Sequence, residues 1–397
     1  MVVDLFEVPG GVLAASNLHI GGPSGSGPTT VNGKGFSAPQ AVLSCLGEAV
    51  EFASWLYRPQ DRRRLAGLDA AGEQPGRISA RHVLGFSERQ VGDREKLNRT
   101  WGGWDVVPTA GDMEEPEHWA TVHDLSGARS ALCPAFLCYG RFGDRERGDP
   151  GLNADSNGSA AGRTPEEARR RAVLELVERD ATGIWWWRGC RRARIAAETL
   201  EDAELAAALA RHRDDTGRKL WFLDISTFRS ASVVAAVSCA PSGRQLAAGF
   251  AAALSRRDAV RSAFLEMLQT ELSMDAHEIR MEDGVPGSAS DGRISRWLDE
   301  ADLAALDFLT GSDPSGTLPE RAAALPELVD EMAAAGHEVW FSDLSRPDIG
   351  VPVVKAIAAG LAHYKPRFGC PRLGHLPGQR GWETAYSDRL NPIALVI

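Results

Sequence analysis

Ala172, Val173, Leu176 and Val177 fall at helical spacing and predict a helix with one buried stripe. Thr164 is its N-cap, Pro165 its first helical residue and Glu167 the capping-box acid. The stretch before it, with Ser156, Asn157, Gly158 and Gly162, reads as a small-residue turn. The same spacing predicts helices over about 39–57, 197–212, 257–274 and 319–335. Four runs, KLWFLDIS, SVVAAVSCA, EVWFSDLS and VPVVKAIAAG, read as strands, and ALCPAFLCYG as a buried strand leading to the turn. Residues 9–36 are rich in Gly, Ser and Pro, end in VNGKGFS and read as loop. Residues 58–115 read as a charged periphery, 280–320 as an insertion or mobile loop, and the end as an irregular tail. Strands and helices mix throughout, without a short repeat, which predicts an α/β fold with α+β mixing, built of layered sheets and helices.

Composition narrows the function classes. At 397 residues and 43% hydrophobic content the chain can fill a sizeable core. A net charge of −10 argues against a nucleic-acid-binding surface, and the runs Arg169 to Arg171 and Arg191 to Arg192 read as solvated helix faces. No apolar stretch is long enough to span a bilayer, and MVVDLFEVPGG lacks a signal-peptide layout. The expected compartment is the cytoplasm. Six scattered cysteines, with no CxxC pair and no close histidine, make neither a zinc site nor a disulfide framework.

The candidate chemistry lies in charged residues wedged into apolar helices. Ser44, Glu48 and Glu51 share one stripe of the first helix. Glu175 and Glu178, with Arg179 beside them, interrupt the second, just before Trp185 to Trp187. Glu266 and Gln269 repeat the three-residue offset in the third. Carboxylates are seldom buried without a cation, so three such helices are expected to bring their acids to metal ions. All-oxygen ligation favours Mg²⁺ together with substrate phosphates, for which Lys34, in the Gly33-Lys34-Gly35 loop, and Arg179 are suitable cations. Neither a Walker loop nor a dinucleotide fingerprint is present. Taken alone, each ExxE pair is also compatible with a solvated helix face.

The stretches GKG…SxxxExxE, SNGxAAGxTxxEAxxxAxxELxERDA and AxxExxQ resemble the three nucleotide-binding motifs of the YcaO family, in their usual order. In the tail, DLSRPDIGVPVVKAIAAGL, HYKPRFGCPRL, LPGQRGW and LNPI resemble azoline-forming cyclodehydratases. The resemblance is weakest over 58–130 and 275–335. It implies one YcaO-type domain over 1–397, whose ATP site is formed by three motif-bearing helices. Its subregions would be 1–57 (GKG loop and first motif helix), 58–130 (periphery), 131–274 (core with the other two motifs), 275–320 (insertion) and 321–397 (C-terminal core and tail). Glu48, Glu51, Glu175, Glu178 and Glu266 would hold Mg²⁺, while Lys34, Ser44, Asn157, Arg179 and Gln269 would contact ATP. The implied reaction converts Cys, Ser or Thr of a ribosomally made precursor peptide to a thiazoline or oxazoline. The side chain attacks the preceding amide carbonyl, the γ-phosphoryl group moves to the resulting oxyanion, and phosphate leaves. Arg179 would stabilise that charge. A substrate-side group, His363 and the Ile397 carboxylate are the candidate bases, and the tryptophans are expected to pack.

This sequence departs from the pattern in places. Phe52 and Glu271 stand where Arg is common, and NPIALVI keeps Pro392 but has Ala394 where a second proline is usual. Thioamide or amidine formation, or a catalytically weak peptide-presenting subunit, are the rival readings. Only 33 residues precede Lys34, so a leader-binding domain is expected on an E1-like, ThiF-like partner. A flavin-dependent azoline dehydrogenase and a homodimer are further partners that the resemblance admits.

Overall fold

The computed structural model describes residues 1–19, 29–66, 76–101, 104–143, 148, 151–284, 291–313 and 323–396. The fold is mixed α/β, as expected. Two compact units are each assembled from separated stretches of chain: Met1–Ala49, Ala181–Ala323 and His375–Ile397 in one, Val50–Asp180 and Ala324–Gly374 in the other.

The first unit holds two antiparallel sheets. One is the meander Asp4–Val8, Gly11–Leu18 and Thr29–Gly35. Ala41, Cys45 and Ala49 of the helix Ala38–Trp55 pack on its Ala14 and Val31. The expected loop over 9–36 is therefore corrected: Lys34 is a strand residue, and residues 20–28 lie outside the described set. The glycines explain the misreading. A Cβ on Gly33 would come 2.1 Å from the Ala41 carbonyl oxygen, and one on Gly35 would come 2.4 Å from Gln40 Cβ. They let a helix sit on a strand and do not punctuate a loop.

The second sheet runs in the order Ala247–Ala253, Ser232–Cys239, Lys219–Asp224, Arg194–Ile195. Ala247–Ala253 was not expected, because its alanines carry no β-branched signal. The helix Arg256–Glu282, capped by Ser255, packs on that strand. At Gly249 a Cβ would lie 2.1 Å from the Met267 nitrogen, so backbone meets backbone there. Trp185, Trp186 and Trp187 are buried, as expected; Trp185 and Trp186 ring-pack with Phe308, and Trp186 with Trp297. Trp297 lies on the helix Asp291–Glu300, so the stretch expected as a loop over 280–320 contains packed structure; its residues 285–290 and 314–320 lie outside the described set. Trp186 Nε1 donates to the Ile393 carbonyl (2.8 Å), and the Asn391 amide donates to the Trp187 carbonyl (2.9 Å), which docks the tail on the helix end.

The second unit is built on a seven-stranded sheet. Its order is Gly76–Arg77, Ser130–Pro134, Trp119–His123, Val339–Asp343, Val353–Ala358, Ser159–Ala161, with Leu65–Ala66 paired to Trp119–His123. Among the described strands of this sheet, Gly76–Arg77 pairs in parallel with Ser130–Pro134 and the other ladders are antiparallel. Lys355 stands opposite Ser159 in the ladder. The segment expected as periphery supplies buried acids to this unit: Asp61 meets Arg346, and Asp105 meets Arg367. The tail also contains a helix, Pro371–Gln379, hidden in the sequence by Gly374, Pro377 and Gly378. Among the described residues no helix is long and apolar enough to cross a membrane.

Candidate functional site

Each unit carries its own group of the expected residues. In the first unit, Lys34 at the end of its strand makes an ion pair with Glu266, which projects from the third motif helix, Arg256–Glu282. Residues 232 positions apart are thus brought together. Gln269 is half-buried one turn further along, Ser44 is half-buried on the first motif helix, and Glu48 is exposed.

In the second unit, the helix Pro165–Arg188 presents the acids expected from its sequence. Arg179 lies 3.0 Å from Glu178 and 3.5 Å from Glu175, and its guanidinium stands 5.2 Å from the Tyr364 ring centre. Gly158 N–H donates to Glu175 (3.1 Å), and Ala161 N–H donates to Glu51 (3.4 Å). Burial raises the Glu175 carboxyl above its ordinary range, opposed by Arg179, Lys355 and the Gly158 amide. A carboxylate in that position gains from a further cation.

The donor set fits Mg²⁺: it is all carboxylate oxygen, and Glu266 already accepts a cation, the Lys34 ammonium. Among the described residues no group of three or more His, Cys, Asp or Glu side chains is gathered as a metal site. The acids come as pairs and as cation–acid contacts. Ile397 lies outside the described residues.

Around Asn157 the structure gathers His363, a candidate base, with Asp155, Asp105, Arg367 and Lys355, for which the sequence predicts no role of their own. The Asn157 side chain meets His363 Nε2, which also lies 3.2 Å from Asp155. His363 Nδ1 accepts from the Lys365 amide, so a neutral ring carries its proton on Nε2. Arg367 forks onto Asp105 (2.9 and 2.7 Å) and reaches Asp155 (2.8 Å). Burial alone would raise both acids, but Arg367 first, with Lys365 and His363, holds Asp105 low and Asp155 lower still. Next to Glu178 and Arg179, Asp180 is fully buried; it takes Arg372 at 3.0 Å and the Ala362 amide at 2.9 Å. A lysine inside the apolar run VPVVKAIAAG was the signal available for Lys355. Asn157, Leu176, Arg179, Lys355, His363 and Arg367 line a cavity of about 60 Å³, room for a few waters and not for a peptide.

The histidine gives the first expected result. Burial, with the Arg367 charge, pushes His363 down to about 4 from its ordinary 6.5, against the pull of Asp155. Between these values the unfolded chain binds the extra proton, so folding weakens as pH falls through that window. The slope is at most about 1.4 kcal/mol per pH unit and vanishes above the upper value. Urea midpoints between about pH 7 and about pH 4.5 check it, and His363→Gln should flatten the slope.

The departures have local explanations in part. Glu271 is ion-paired with Arg218 (2.7 Å), lies 3.0 Å from His212 Nε2 and accepts from Ser238. Burial would raise its carboxyl, but these partners hold it below the ordinary range. Its charge is compensated within the first unit. Phe52 packs at 5.8 Å on Trp55.

The chain resembles solved structures and a family model. A heterocyclase in complex with substrate and cofactor is 29% identical, with a TM-score of 0.79 over 93% of this chain. The heterocyclase TruD is 28% identical, with a TM-score of 0.72 over 89%. The chain spans about half the length of both heterocyclase chains, 50% in each case. A YcaO protein of Methanopyrus kandleri, bound with AMPPCP and Mg²⁺, shares the fold at 22% identity and TM-score 0.61, over 92% of this chain and 86% of its own. The family model described as YcaO cyclodehydratase, ATP- and Mg²⁺-binding, matches residues 32–362. With that match over most of its length, the chain belongs to the YcaO family.

Proposed function

We propose that this protein is an ATP-dependent peptide cyclodehydratase that forms azolines from Cys, Ser or Thr of a ribosomally made precursor. The observation that carries the reading is the family match over 32–362, combined with carboxylates set in apolar helices beside Lys34 and Arg179. Glu48, Glu51, Glu175, Glu178 and Glu266 would hold Mg²⁺; Lys34, Ser44, Asn157, Arg179 and Gln269 would contact the nucleotide. Mg²⁺-ATP, when bound, supplies the phosphoryl group that turns the amide oxygen into a leaving group. Arg179, held by Glu175 and Glu178 and backed by Tyr364, offers a pre-aimed charge to a developing oxyanion. Main-chain amides at Gly158 and Ala161 fix the orientations of Glu175 and Glu51.

The substrate peptide and an E1-like leader-binding partner belong to the same proposal, as does a cytoplasmic location. A similar heterocyclase is known in complex with its substrate and cofactor. Incubation with partner, precursor and Mg²⁺-ATP should lower the peptide mass by one water per ring and release ADP and phosphate. Replacement of oxygen by sulfur, or release of AMP, would overturn azoline formation. Local neutralisation of Glu271 favours the enzyme over a catalytically weak subunit, because the acid in an arginine's place adds no uncompensated charge.

A further inference from the structure

Lys355 stands in the middle of the strand Val353–Ala358, every residue of which is buried, and is itself 3% exposed. An ammonium at such a depth is costly unless it is fully hydrogen-bonded. Its hydrogen-bond acceptors are main-chain groups. Lys355 Nζ donates to the carbonyl of Asp155 (2.8 Å) and to that of Asn157 (2.6 Å), and it lies 5.9 Å from the Trp55 ring centre. Both carbonyls belong to the turn that carries the Asn157 side chain and the Gly158 N–H donated to Glu175.

The turn is held on its other side too. The Gly158 carbonyl accepts from the Ala356 amide at 2.7 Å. Gly158 has φ +82°, and a Cβ there would stand 2.5 Å from the Ala356 carbonyl oxygen. The backbone therefore follows the strand closely, and the ammonium fixes the direction in which its carbonyls point. With those carbonyls turned towards Lys355, the Gly158 N–H is left facing Glu175.

We propose that Lys355 is a positioning residue for nucleotide binding, which by gathering the Asp155 and Asn157 carbonyls on one ammonium aims Asn157 and Gly158 for their work. This rests on the reading of Asn157 and Glu175 as nucleotide and metal groups. A lysine that merely balances buried charge would affect stability; a positioning lysine affects nucleotide affinity.

The test uses the full chain and Mg²⁺-ATP as the probe. Calorimetry gives Kd for wild type, for Lys355→Met and for Lys355→Ala with and without added ethylammonium. Lys355→Met should weaken Mg²⁺-ATP about tenfold or more while KM for the precursor peptide stays within about twofold. Ethylammonium should restore much of the affinity lost in Lys355→Ala, a result that a purely structural role does not give. Where Lys355→Met is not recovered folded, Lys355→Gln, which keeps a donor near both carbonyls, should show a smaller rise of about two- to threefold. Unchanged Kd in the folded variants, or equal loss of nucleotide and peptide affinity, overturns the positioning role alone. Failure of the wild-type chain to bind Mg²⁺-ATP overturns the underlying reading and this proposal with it.

Discussion

Glu178→Ala is expected to abolish the rise in melting temperature that Mg²⁺-ATP gives the wild-type chain. A ligand that binds only the folded state at a hundred times its Kd adds about 2.7 kcal/mol, so the wild-type shift is readily measured. Glu178 is a half-buried carboxylate 3.0 Å from Arg179, between the buried Leu174, Val177 and Ala181 of its helix. As a magnesium ligand it would offset phosphate charge that one arginine cannot, and its loss should lower peptide-stimulated ATP turnover by on the order of a hundredfold or more. The ligand-free melting point should move little, because truncating a half-buried polar side chain costs roughly a kcal/mol. Glu166→Ala, on the exposed first turn of the same helix, is the control and should keep the full shift. A normal shift in Glu178→Ala would show that Glu178 is not a magnesium ligand.

The largest effect on stability is expected at Arg346. Its guanidinium, 4% exposed, forks onto Asp61, itself 2% exposed, and donates further to the carbonyls of Ser54 and Leu56. Those carbonyls lie at the end of the helix Ala38–Trp55, where the unsatisfied acceptors and the dipole both favour a cation. Arg346→Met would leave the buried Asp61 carboxylate with no cation and only the Arg58 amide (2.8 Å), and would take the guanidinium from two carbonyls. Removing one partner of a buried pair costs roughly 3–5 kcal/mol, visible as an earlier denaturation midpoint. Replacing both partners, Asp61→Leu with Arg346→Met, should recover part of the loss, since an apolar pair carries no stranded charge. A loss below about 1 kcal/mol in the single variant would show that the pair does not hold this unit together.

What could be read in the sequence follows the range of the interactions. The helix Pro165–Arg188 was legible because its cap, its stripe and its intruding acids lie within a few turns of one another. So were the strands at Lys219–Asp224 and Ser232–Cys239, which carry β-branched and aromatic residues. Gly33 and Gly35 misled, because the close approach that they permit is to a helix and leaves no mark beyond composition. The burial of Asp61 and Asp105 was illegible for a different reason. Their partners, Arg346 and Arg367, stand 285 and 262 residues away, and nothing local in a charged stretch distinguishes a solvated acid from one that waits for such a cation. Lys355 lay between these cases: a lysine in an apolar strand signals a purpose, but only the fold supplies the two carbonyls it serves.

The docked tail bears on how this lineage can vary. Its grip on the tryptophan-bearing helix end is largely main chain to side chain or main chain to main chain: Trp186 reads the carbonyl of residue 393, and the amide of residue 391 reads the carbonyl of Trp187. Such contacts do not inspect the side chain at position 393. Asn391 is different, since its side chain donates to the Trp186 carbonyl and accepts from the Ile393 amide, with 3% of the residue exposed. Mutational drift is therefore expected to be permissive at 393 and restrictive at 391, so that relatives could rewrite much of the tail's lettering while keeping its seat.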